Sequence, residues 1–174
     1  HRELASGVST SIGFKNGTGG SLLLAVNGIE ACSKSHRFMG CNKDGKISIV
    51  KTKGNKYGHV ILRGSQAGPN YHKETVDQLR SLLQQKNLPE NVIIDFSHGN
   101  SNKQHKKQLE VCDNICKQIK AGDSIIKGVM IESNIIQGRQ DILSVPLRYG
   151  QSVTDACIDL FDSEIILEKL YRVL

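Results

Sequence analysis

The chain has 174 residues, which suits one ordinary domain with a sizeable hydrophobic core. Its formal net charge is +6, but the basic residues are scattered, aromatic residues make up 5% of the chain and Trp is absent, so we expect no nucleic-acid-binding surface. No apolar run approaches about 18 residues and nothing resembles a signal peptide, so we expect a cytoplasmic protein without membrane association.

The first part of the chain predicts a strand, a helix and then a group of strands. Residues 11–15 are typical of a short strand, and a Gly-rich turn leads to a helix that begins after Ser21, a favourable capping residue. The apolar stripe of this helix is Leu22, Ala25, Val26 and Ile29. Strands are predicted at 38–41, 47–52 and 59–63, and the last two are expected to pair around a turn at 53–55. Since no helix fits between residues 38 and 63, we interpret this stretch as an inserted β-hairpin.

The remainder of the chain alternates helices and strands. Apolar residues at spacings of three and four predict helices that begin near residues 76 and 109, and the apolar runs 91–95 and 126–132 predict strands. Residues 134–150 are expected to form a long polar loop. Asp162 and Ser163 are predicted to cap a last helix. Its inward positions are Ile166, Leu170, Val173 and Leu174.

This alternation of strands and helices predicts an α/β protein with a parallel sheet. Four such units make either a small open sheet or half of an eight-stranded barrel, and the absence of an initiator Met favours the half barrel. The five cysteines form no metal-binding or disulfide pattern. Cys112 and Cys116 are therefore expected to pack, reduced, in the core.

Several predicted strands end in a charged or ligating side chain, which is where α/β proteins place their chemistry. His98, Glu132 and Asp155 converge if consecutive strands place their ends side by side. A nitrogen and two carboxylates suit one divalent ion such as Mn²⁺, Fe²⁺, Co²⁺ or Zn²⁺. No local ligand spacing supports this hypothesis, and before any resemblance is considered the residues favour a hydrogen-bonded His and two solvated or capping carboxylates.

Two predicted strands end in cations, Lys15 and Arg63, which would point into the same opening and suit a phosphate or a carboxylate. Both could instead be ordinary surface cations. Two further alternatives remain at this point. Lys15 could form a Schiff base, as in class I aldolases. The chain could also be a non-catalytic binding protein that uses its positive charge.

Seven segments closely resemble the carboxyl-terminal half of class I 3-deoxy-D-arabino-heptulosonate 7-phosphate (DAHP) synthases, in order and over essentially the whole chain. Details around residues 55–59 and 103–112 are most similar to the bacterial tryptophan-sensitive branch. The segments are His1-Arg-Glu-Leu-Ala-Ser-Gly7, Gly13-Phe-Lys-Asn-Gly-Thr18, Ile61-Leu-Arg-Gly64, Pro69-Asn-Tyr71, Asp95-Phe-Ser-His-Gly-Asn100, Gly128-Val-Met-Ile-Glu-Ser133 and Tyr149-Gly-Gln-Ser-Val-Thr-Asp-Ala-Cys157.

The resemblance implies a (β/α)8 TIM barrel. Residues 1–174 would be the carboxyl-terminal part of its single catalytic domain, with strands five to eight and the inserted hairpin. It also implies a condensation of phosphoenolpyruvate with erythrose 4-phosphate, the first step of the shikimate pathway. A piece of this kind is expected to fold poorly and to be inactive alone, because half a barrel leaves strand edges unpaired.

The resemblance also implies roles for particular residues. His98, Glu132 and Asp155 would hold the metal together with a Cys outside this chain, and Lys15 and Arg63 would bind phosphoenolpyruvate. Lys15, His98 and Asp155 would take part in catalysis, with Asp155 near the aldehyde substrate.

A feedback site for an aromatic amino acid, with tryptophan expected first, is a further implication, as is a homodimer or homotetramer. One departure from the family pattern lies in Asp159-Leu-Phe161, so the start of the last helix is expected to differ. The residues predicted to line the feedback site are Leu4, Val8, Ser9, Phe38, Gly40 and Val50.

Overall fold

The computed structural model describes residues 2–174. From Ile12 to Met130 its helices and strands alternate as the sequence predicts. A short 3-10 helix, His105–Lys107, precedes the fourth α-helix. In chain order the elements are α1 (Arg2–Ala5), β1 (Ile12–Lys15), α2 (Leu22–Cys32), β2 (Arg37–Cys41), β3 (Ile47–Lys51), β4 (Gly58–Leu62), α3 (Lys73–Gln85), β5 (Val92–Asp95), α4 (Gln108–Lys120), β6 (Ile126–Met130), β7 (Ile136–Arg139), β8 (Gln151–Ser152) and α5 (Leu160–Tyr171).

The centre of the fold is a four-stranded sheet in the order β1-β4-β5-β6, with all three strand pairs parallel. Helices α2, α3 and α4 connect these strands, as parallel neighbours require a crossover. Parallel pairing brings the carboxyl ends of the four strands to one edge of the sheet. The polar residues that follow the strands are therefore gathered at that edge.

The hydrophobic core lies between the sheet and the helices, and it confirms the predicted helical stripes. Leu22, Ala25, Val26 and Ile29 of α2 are buried, and they pack with alternating residues of β4 and β5. In α3 the three innermost stripe residues are completely buried. They are Val76, Leu79 and Leu83.

The inserted hairpin is present, but its predicted strand partner was wrong. β3 pairs antiparallel with β2, whereas β4 lies between β1 and β5 in the parallel sheet. The hairpin closes at residues 42–46, where the side chain of Asn42 accepts hydrogen bonds from the backbone N–H groups of Asp44 and Lys46. Val60 and Leu62 of β4 are fully buried, a burial that a two-stranded hairpin does not provide.

The predicted polar loop at 134–150 contains a strand that the sequence did not reveal. β7 pairs in parallel with the two-residue strand β8, and the register shifts within the pair. Half of β7 is exposed, so its sequence Ile-Gln-Gly-Arg lacks the apolar run by which the buried strands were found.

Two predictions about α5 were wrong. Helix α5 begins at Leu160, and Asp159 caps it by accepting a hydrogen bond from the backbone N–H of Asp162. At the chain end, Leu174 is 94% exposed instead of pointing inward.

Helix α2 begins directly after Ser21, as predicted. Ser21 occupies the capping position, but its side chain makes no cap hydrogen bond.

The sheet stays open among residues 2–174, with β1 and β6 at its edges. A closed (β/α)8 barrel needs eight parallel strands, and this sheet has four, so the α/β class is confirmed while the closed barrel is not seen here. No helix in the described part of the chain is long and apolar enough to cross a membrane.

The cysteine pair on α4 lies in the core, as expected. The sulfur atoms of Cys112 and Cys116 are 3.9 Å apart, and both residues are reduced. Burial, together with the neighbouring Cys116, raises the pKa of the Cys112 thiol to about 12. At neutral pH this thiol is therefore protonated, which suits a packing role.

Replacement of the observed cap tests the corrected start of α5. Asp159→Ala is expected to lower the free energy of unfolding by about 1 kcal/mol, because the N–H of Asp162 loses its acceptor. Urea unfolding measures the effect. Glu164→Ala, an exposed position in the same helix, is the control and is expected to change stability much less. Equal losses in the two variants would contradict the capping role.

Candidate metal and anion site

The carboxyl edge of the sheet brings together the charged residues that the sequence singled out. Lys15 is the last residue of β1, and Arg63 follows β4 directly. His98 lies three residues beyond β5, and Glu132 lies two residues beyond β6. Asp155 comes from the segment after β8. Each side chain is thus carried by a different strand end.

His98, Glu132 and Asp155 form one cluster. The Nε2 atom of His98 is 3.6 Å from Oε1 of Glu132 and 3.9 Å from Oδ2 of Asp155. One potential ligand atom from each residue lies within 4.8 Å of the others. His98 and Glu132 are largely buried, with side chains 22% and 27% exposed, whereas Asp155 is 57% exposed and borders the solvent.

This donor set fits a divalent metal ion. Ligand atoms about 2.0–2.2 Å from one ion lie up to about 4.4 Å apart, so the cluster needs to close by only a few tenths of an ångström. One imidazole and two carboxylates suit Mn²⁺, Fe²⁺, Co²⁺ or Zn²⁺. Without an ion, two carboxylates so close together repel one another, and a cation between them removes that cost.

Asp95 lies behind this cluster and is almost completely buried, with its side chain 2% exposed. Its Oδ2 atom is 2.9 Å from Nδ1 of His98 and 3.3 Å from Nζ of Lys15. The contact with His98 is close but poorly aligned with the ring N–H, so it is an electrostatic contact and not a well-formed hydrogen bond. Oδ1 accepts a hydrogen bond from the backbone N–H of Ser97.

The position of Asp95 has a direct consequence for His98. A carboxylate beside Nδ1 favours the tautomer that carries the proton there, which leaves the Nε2 lone pair facing Glu132 and Asp155. A carboxylate behind a ligating imidazole is the usual arrangement in protein metal sites. The geometry of Asp95 therefore supports His98 as a metal ligand through Nε2.

The two cations border different parts of this edge. Lys15 is 35% exposed and pairs with Asp95. Arg63 lines a pocket of about 410 Å³ together with His98 and residues from three loops. No carboxylate lies within ion-pair distance of Arg63 among residues 2–174. An unpaired guanidinium beside a pocket suits an anionic ligand. The other lining residues are Thr18, Gly64, Ser65, Gln66, Gly99, Asn102 and Lys103.

Three buried asparagines connect the loops that carry these side chains. The Oδ1 atom of Asn16 accepts from the backbone N–H of Arg63, and its Nδ2 donates to the carbonyl of Gly64. Asn70 donates to Asn16 Oδ1 and accepts from the N–H of Gly64. Asn100 accepts from the N–H of Asn70 and donates to the carbonyl of Asp95. The ends of β1, β4 and β5 are thereby fixed relative to one another.

Backbone contact between two loops adds to this constraint. Gly64 adopts φ +73°, and a Cβ atom there would lie 2.3 Å from the carbonyl carbon of Gly99. His98, the residue before Gly99, also has a positive φ of 51°, which is uncommon outside glycine. Unfavourable backbone conformations persist where the surroundings enforce them, and they are frequent at functional sites.

The residues predicted for a feedback site are brought together only in part. Val8, Ser9 and Val50 line a cavity of about 640 Å³ between the start of the chain and the hairpin. Leu4, Phe38 and Gly40 are not among its lining residues. Gly40 nevertheless packs against the side chain of Val50, since a Cβ at this position would be 2.7 Å from it.

Sequence reasoning assigned no role to Asp95, to the buried asparagines or to Gln108, which contacts the backbone of Glu132. Signals for two of them exist. Asp95 is a carboxylate that ends an otherwise apolar strand, where burial demands a partner. Gln108 stands on the buried stripe of α4 with Val111 and Cys112. The contacts of Asn70 depend on loop conformation and leave no spacing pattern.

Comparison with known proteins gives a consistent result. A sequence model of the DAHP synthetase I family matches residues 1–168. The tryptophan-sensitive phospho-2-dehydro-3-deoxyheptonate aldolase of Salmonella typhimurium is 50% identical over 171 residues, which are 98% of this chain and 49% of that protein. The phenylalanine-sensitive aldolase of Escherichia coli is 47% identical over 171 residues, with the same coverage of both chains.

A solved structure agrees with these sequence matches. The structure of phospho-2-dehydro-3-deoxyheptonate aldolase from Francisella tularensis superimposes with a TM-score of 0.95 at 50% sequence identity. The match covers 99% of this chain and 50% of that chain. The chain therefore spans about half the length of the relatives that it matches.

The asparagine network can be tested by an isosteric substitution. Asn16→Asp removes the N–H groups that bond the carbonyls of Gly17 and Gly64, so we expect a loss of about 1–3 kcal/mol in the free energy of unfolding. We also expect weaker binding of inorganic phosphate, used as an anionic probe, because the loop of Arg63 is released. Calorimetric titration and urea unfolding measure the two effects.

Asn55→Asp is the matched control for this prediction. Asn55 is also buried and donates to two carbonyls, those of Ala5 and Thr10, but it lies away from the strand ends. Asn55→Asp should lower the free energy of unfolding about as much as Asn16→Asp does and leave binding of the anion unchanged. If both variants bind inorganic phosphate as the wild type does, the network has no part in shaping the anion site.

Proposed function

Because this chain belongs to the DAHP synthetase I family, we propose that it is the carboxyl-terminal half of a DAHP synthase. This enzyme condenses phosphoenolpyruvate with erythrose 4-phosphate and water to give DAHP and phosphate, at the start of the shikimate pathway. The observation that carries the proposal is the convergence of His98, Glu132 and Asp155 at the sheet edge that also bears Lys15 and Arg63.

In this proposal residues 1–174 form part of one TIM-barrel catalytic domain. The four parallel strands correspond to roughly half of a barrel, and the β2–β3 hairpin is an insertion in it. The amino-terminal half would complete the sheet and supply a Cys as a fourth metal ligand. The open edges at β1 and β6 support the idea that further strands pair there.

Lys15 and Arg63 would hold phosphoenolpyruvate through its phosphate and carboxylate. Arg63 presents a planar set of donors that matches either group. Lys15 is oriented by Asp95, which holds the ammonium at the strand end. Two fixed cations offset the charge of an anion that must lie close to a second phosphorylated substrate. Both substrates can then occupy one site.

His98, Glu132 and Asp155 would hold one divalent ion, and a bound ion would act as a Lewis acid on the aldehyde oxygen of erythrose 4-phosphate. Asp155 is the most exposed of the three and borders the space where the aldehyde would bind. The residues of this chain position the two substrates so that carbon 3 of the enol bonds to the aldehyde carbon. Water adds at carbon 2 of phosphoenolpyruvate, and the bond between carbon 2 and the phosphate oxygen breaks, which releases phosphate.

The two alternatives are less well supported. A Schiff-base lysine must attack as the neutral amine, whereas Lys15 forms an ion pair with the buried carboxylate of Asp95. A basic binding protein would need clustered cations with stacking aromatic residues, and many cations here pair with neighbouring carboxylates instead. Lys73, Lys86, Lys106 and Lys169 are examples.

Metal removal tests the proposed reaction in the complete polypeptide. Incubation with EDTA should abolish release of phosphate from phosphoenolpyruvate in the presence of erythrose 4-phosphate, and Mn²⁺ should restore it. His98→Ala should lower kcat/KM by at least about 100-fold, because an inner ligand is lost. Full turnover in EDTA, or full turnover of His98→Ala, would rule out the metal-dependent reaction.

The same protein can be treated with borohydride in the presence of either substrate. In the proposed reaction no imine forms, so Lys15 should remain unmodified by peptide mass mapping. Reductive trapping of substrate on Lys15 would establish the Schiff-base alternative instead.

We also propose that the cavity beside the hairpin binds an aromatic amino acid, most simply tryptophan, as a feedback inhibitor. Its volume of about 640 Å³ is sufficient for such a ligand, and Val8 and Val50 provide apolar contacts. Polar residues border the same cavity, among them Ser9, Thr52 and Lys53, and suit the amino and carboxylate groups of such a ligand. The homodimer or homotetramer and the cytoplasmic location stay predictions.

A substitution that fills the cavity tests the proposed feedback site. Val50→Phe should fill part of the cavity and raise the tryptophan concentration that gives half inhibition by at least about 10-fold, with uninhibited turnover retained. Ile49→Phe is the matched control, because Ile49 is 76% exposed on the other face of the same strand. Unchanged inhibition in Val50→Phe would place the effector elsewhere.

A further inference from the structure

We infer that Gln108 is a positioning residue that fixes the metal-binding carboxylate of Glu132. The inference rests on the proposed metal site and adds a residue to it. Gln108 is the first residue of α4 and is completely buried. It does not touch the predicted ligand atoms, so any effect on the metal is exerted through Glu132.

The side-chain amide of Gln108 binds both backbone groups of Glu132. Its Oε1 atom accepts from the N–H of Glu132 at 2.9 Å, and its Nε2 atom donates to the carbonyl of Glu132 at 3.0 Å. A side-chain amide that pairs in this way takes the place of a neighbouring strand. Two hydrogen bonds to one residue fix both the position and the direction of its backbone.

These two hydrogen bonds are needed because Glu132 lies beyond the regular part of the sheet. β6 ends at Met130, whose partner on β5 is Asp95, so the parallel ladder provides no partner for the N–H of Glu132. The carbonyl of Glu132 has a second donor in Ile158, whereas the N–H depends on Gln108. Loss of Gln108 would leave that donor unpaired and free the backbone to rotate.

The side chain of Glu132 is oriented from the other side. The hydroxyl of Ser97 donates to Oε2 of Glu132, which leaves Oε1 as the oxygen that faces Nε2 of His98 at 3.6 Å. The backbone is thus held by α4 and the carboxylate by the loop after β5. A ligand restrained at both ends binds a metal without first losing conformational freedom.

A pair of isosteric variants in the complete protein separates this role from simple packing. Gln108→Met keeps the volume of the side chain and removes both hydrogen bonds. Gln118→Met is the control, because Gln118 is buried in the same helix and donates to the carbonyl of Tyr71 and to Asn114, away from the site. Both variants should lose stability in urea unfolding.

Metal affinity is the measurement that distinguishes them. Titration of the metal-free protein with Mn²⁺, followed by the electron paramagnetic resonance signal of the free ion, should give a dissociation constant raised about 10-fold or more in Gln108→Met. It should be unchanged within about 2-fold in Gln118→Met. Backbone amide exchange of Glu132 should also accelerate in the metal-free Gln108→Met protein, because its acceptor is gone.

The outcomes separate this inference from the proposed function. A wild-type protein that binds no Mn²⁺ would overturn the metal site, and the role of Gln108 with it. A wild-type protein that binds Mn²⁺, with Gln108→Met binding it equally well, would overturn the role of Gln108 alone. If Gln108→Met does not fold, Gln108→Asn retains the amide but is one methylene too short to reach, and the same weaker Mn²⁺ binding is expected of it.

Discussion

The amide network of Asn16, Asn70 and Asn100 is the constraint on which the candidate site depends. All four hydrogen-bonding positions of the Asn16 side chain are used, with acceptance from Arg63 and Asn70 and donation to Gly17 and Gly64. A parallel sheet fixes its strands but not the loops beyond them. The asparagines extend that order past the strand ends, so charged side chains are presented from a rigid frame.

The asparagine side chains are uncharged, and the charged side chains at the strand ends lie at different depths below the surface. Asp95 is the innermost, and it contacts both Lys15 and His98. A buried carboxylate is unfavourable without partners, and these two partners supply positive charge or a donor. The outer carboxylates, Glu132 and Asp155, face the proposed ion, and Asp155 also borders the solvent. One buried charge thereby orients the anion-binding lysine and the ligating imidazole together.

The sequence predicted the helices and strands that are determined by the spacing of nearby residues. The predictions failed where strand pairing or side-chain contacts depend on residues far apart in the chain. The stripe of α2 and the apolar run of β5 follow from spacing alone. The predicted pairing of β3 with β4 was wrong because β4 pairs with β1 and β5 in the parallel sheet. No local sequence pattern shows which of these partners β4 will take. At the site, His98 and Glu132 were predicted because they follow strands. Gln108 was missed although its place on the buried stripe of α4 marks it as buried, because its contacts are to backbone atoms and leave no spacing pattern.

The frame has a chemical weakness at Asn16, which is followed by Gly17. Asparagine before glycine is prone to lose its amide nitrogen with age, since glycine offers no side chain to hinder attack by the following backbone nitrogen on the side-chain carbonyl. The burial and hydrogen bonds of Asn16 protect it while the protein is folded. Each transient opening of this region exposes the Asn16 side chain, so deamidation would accumulate with time and limit how long the site stays intact.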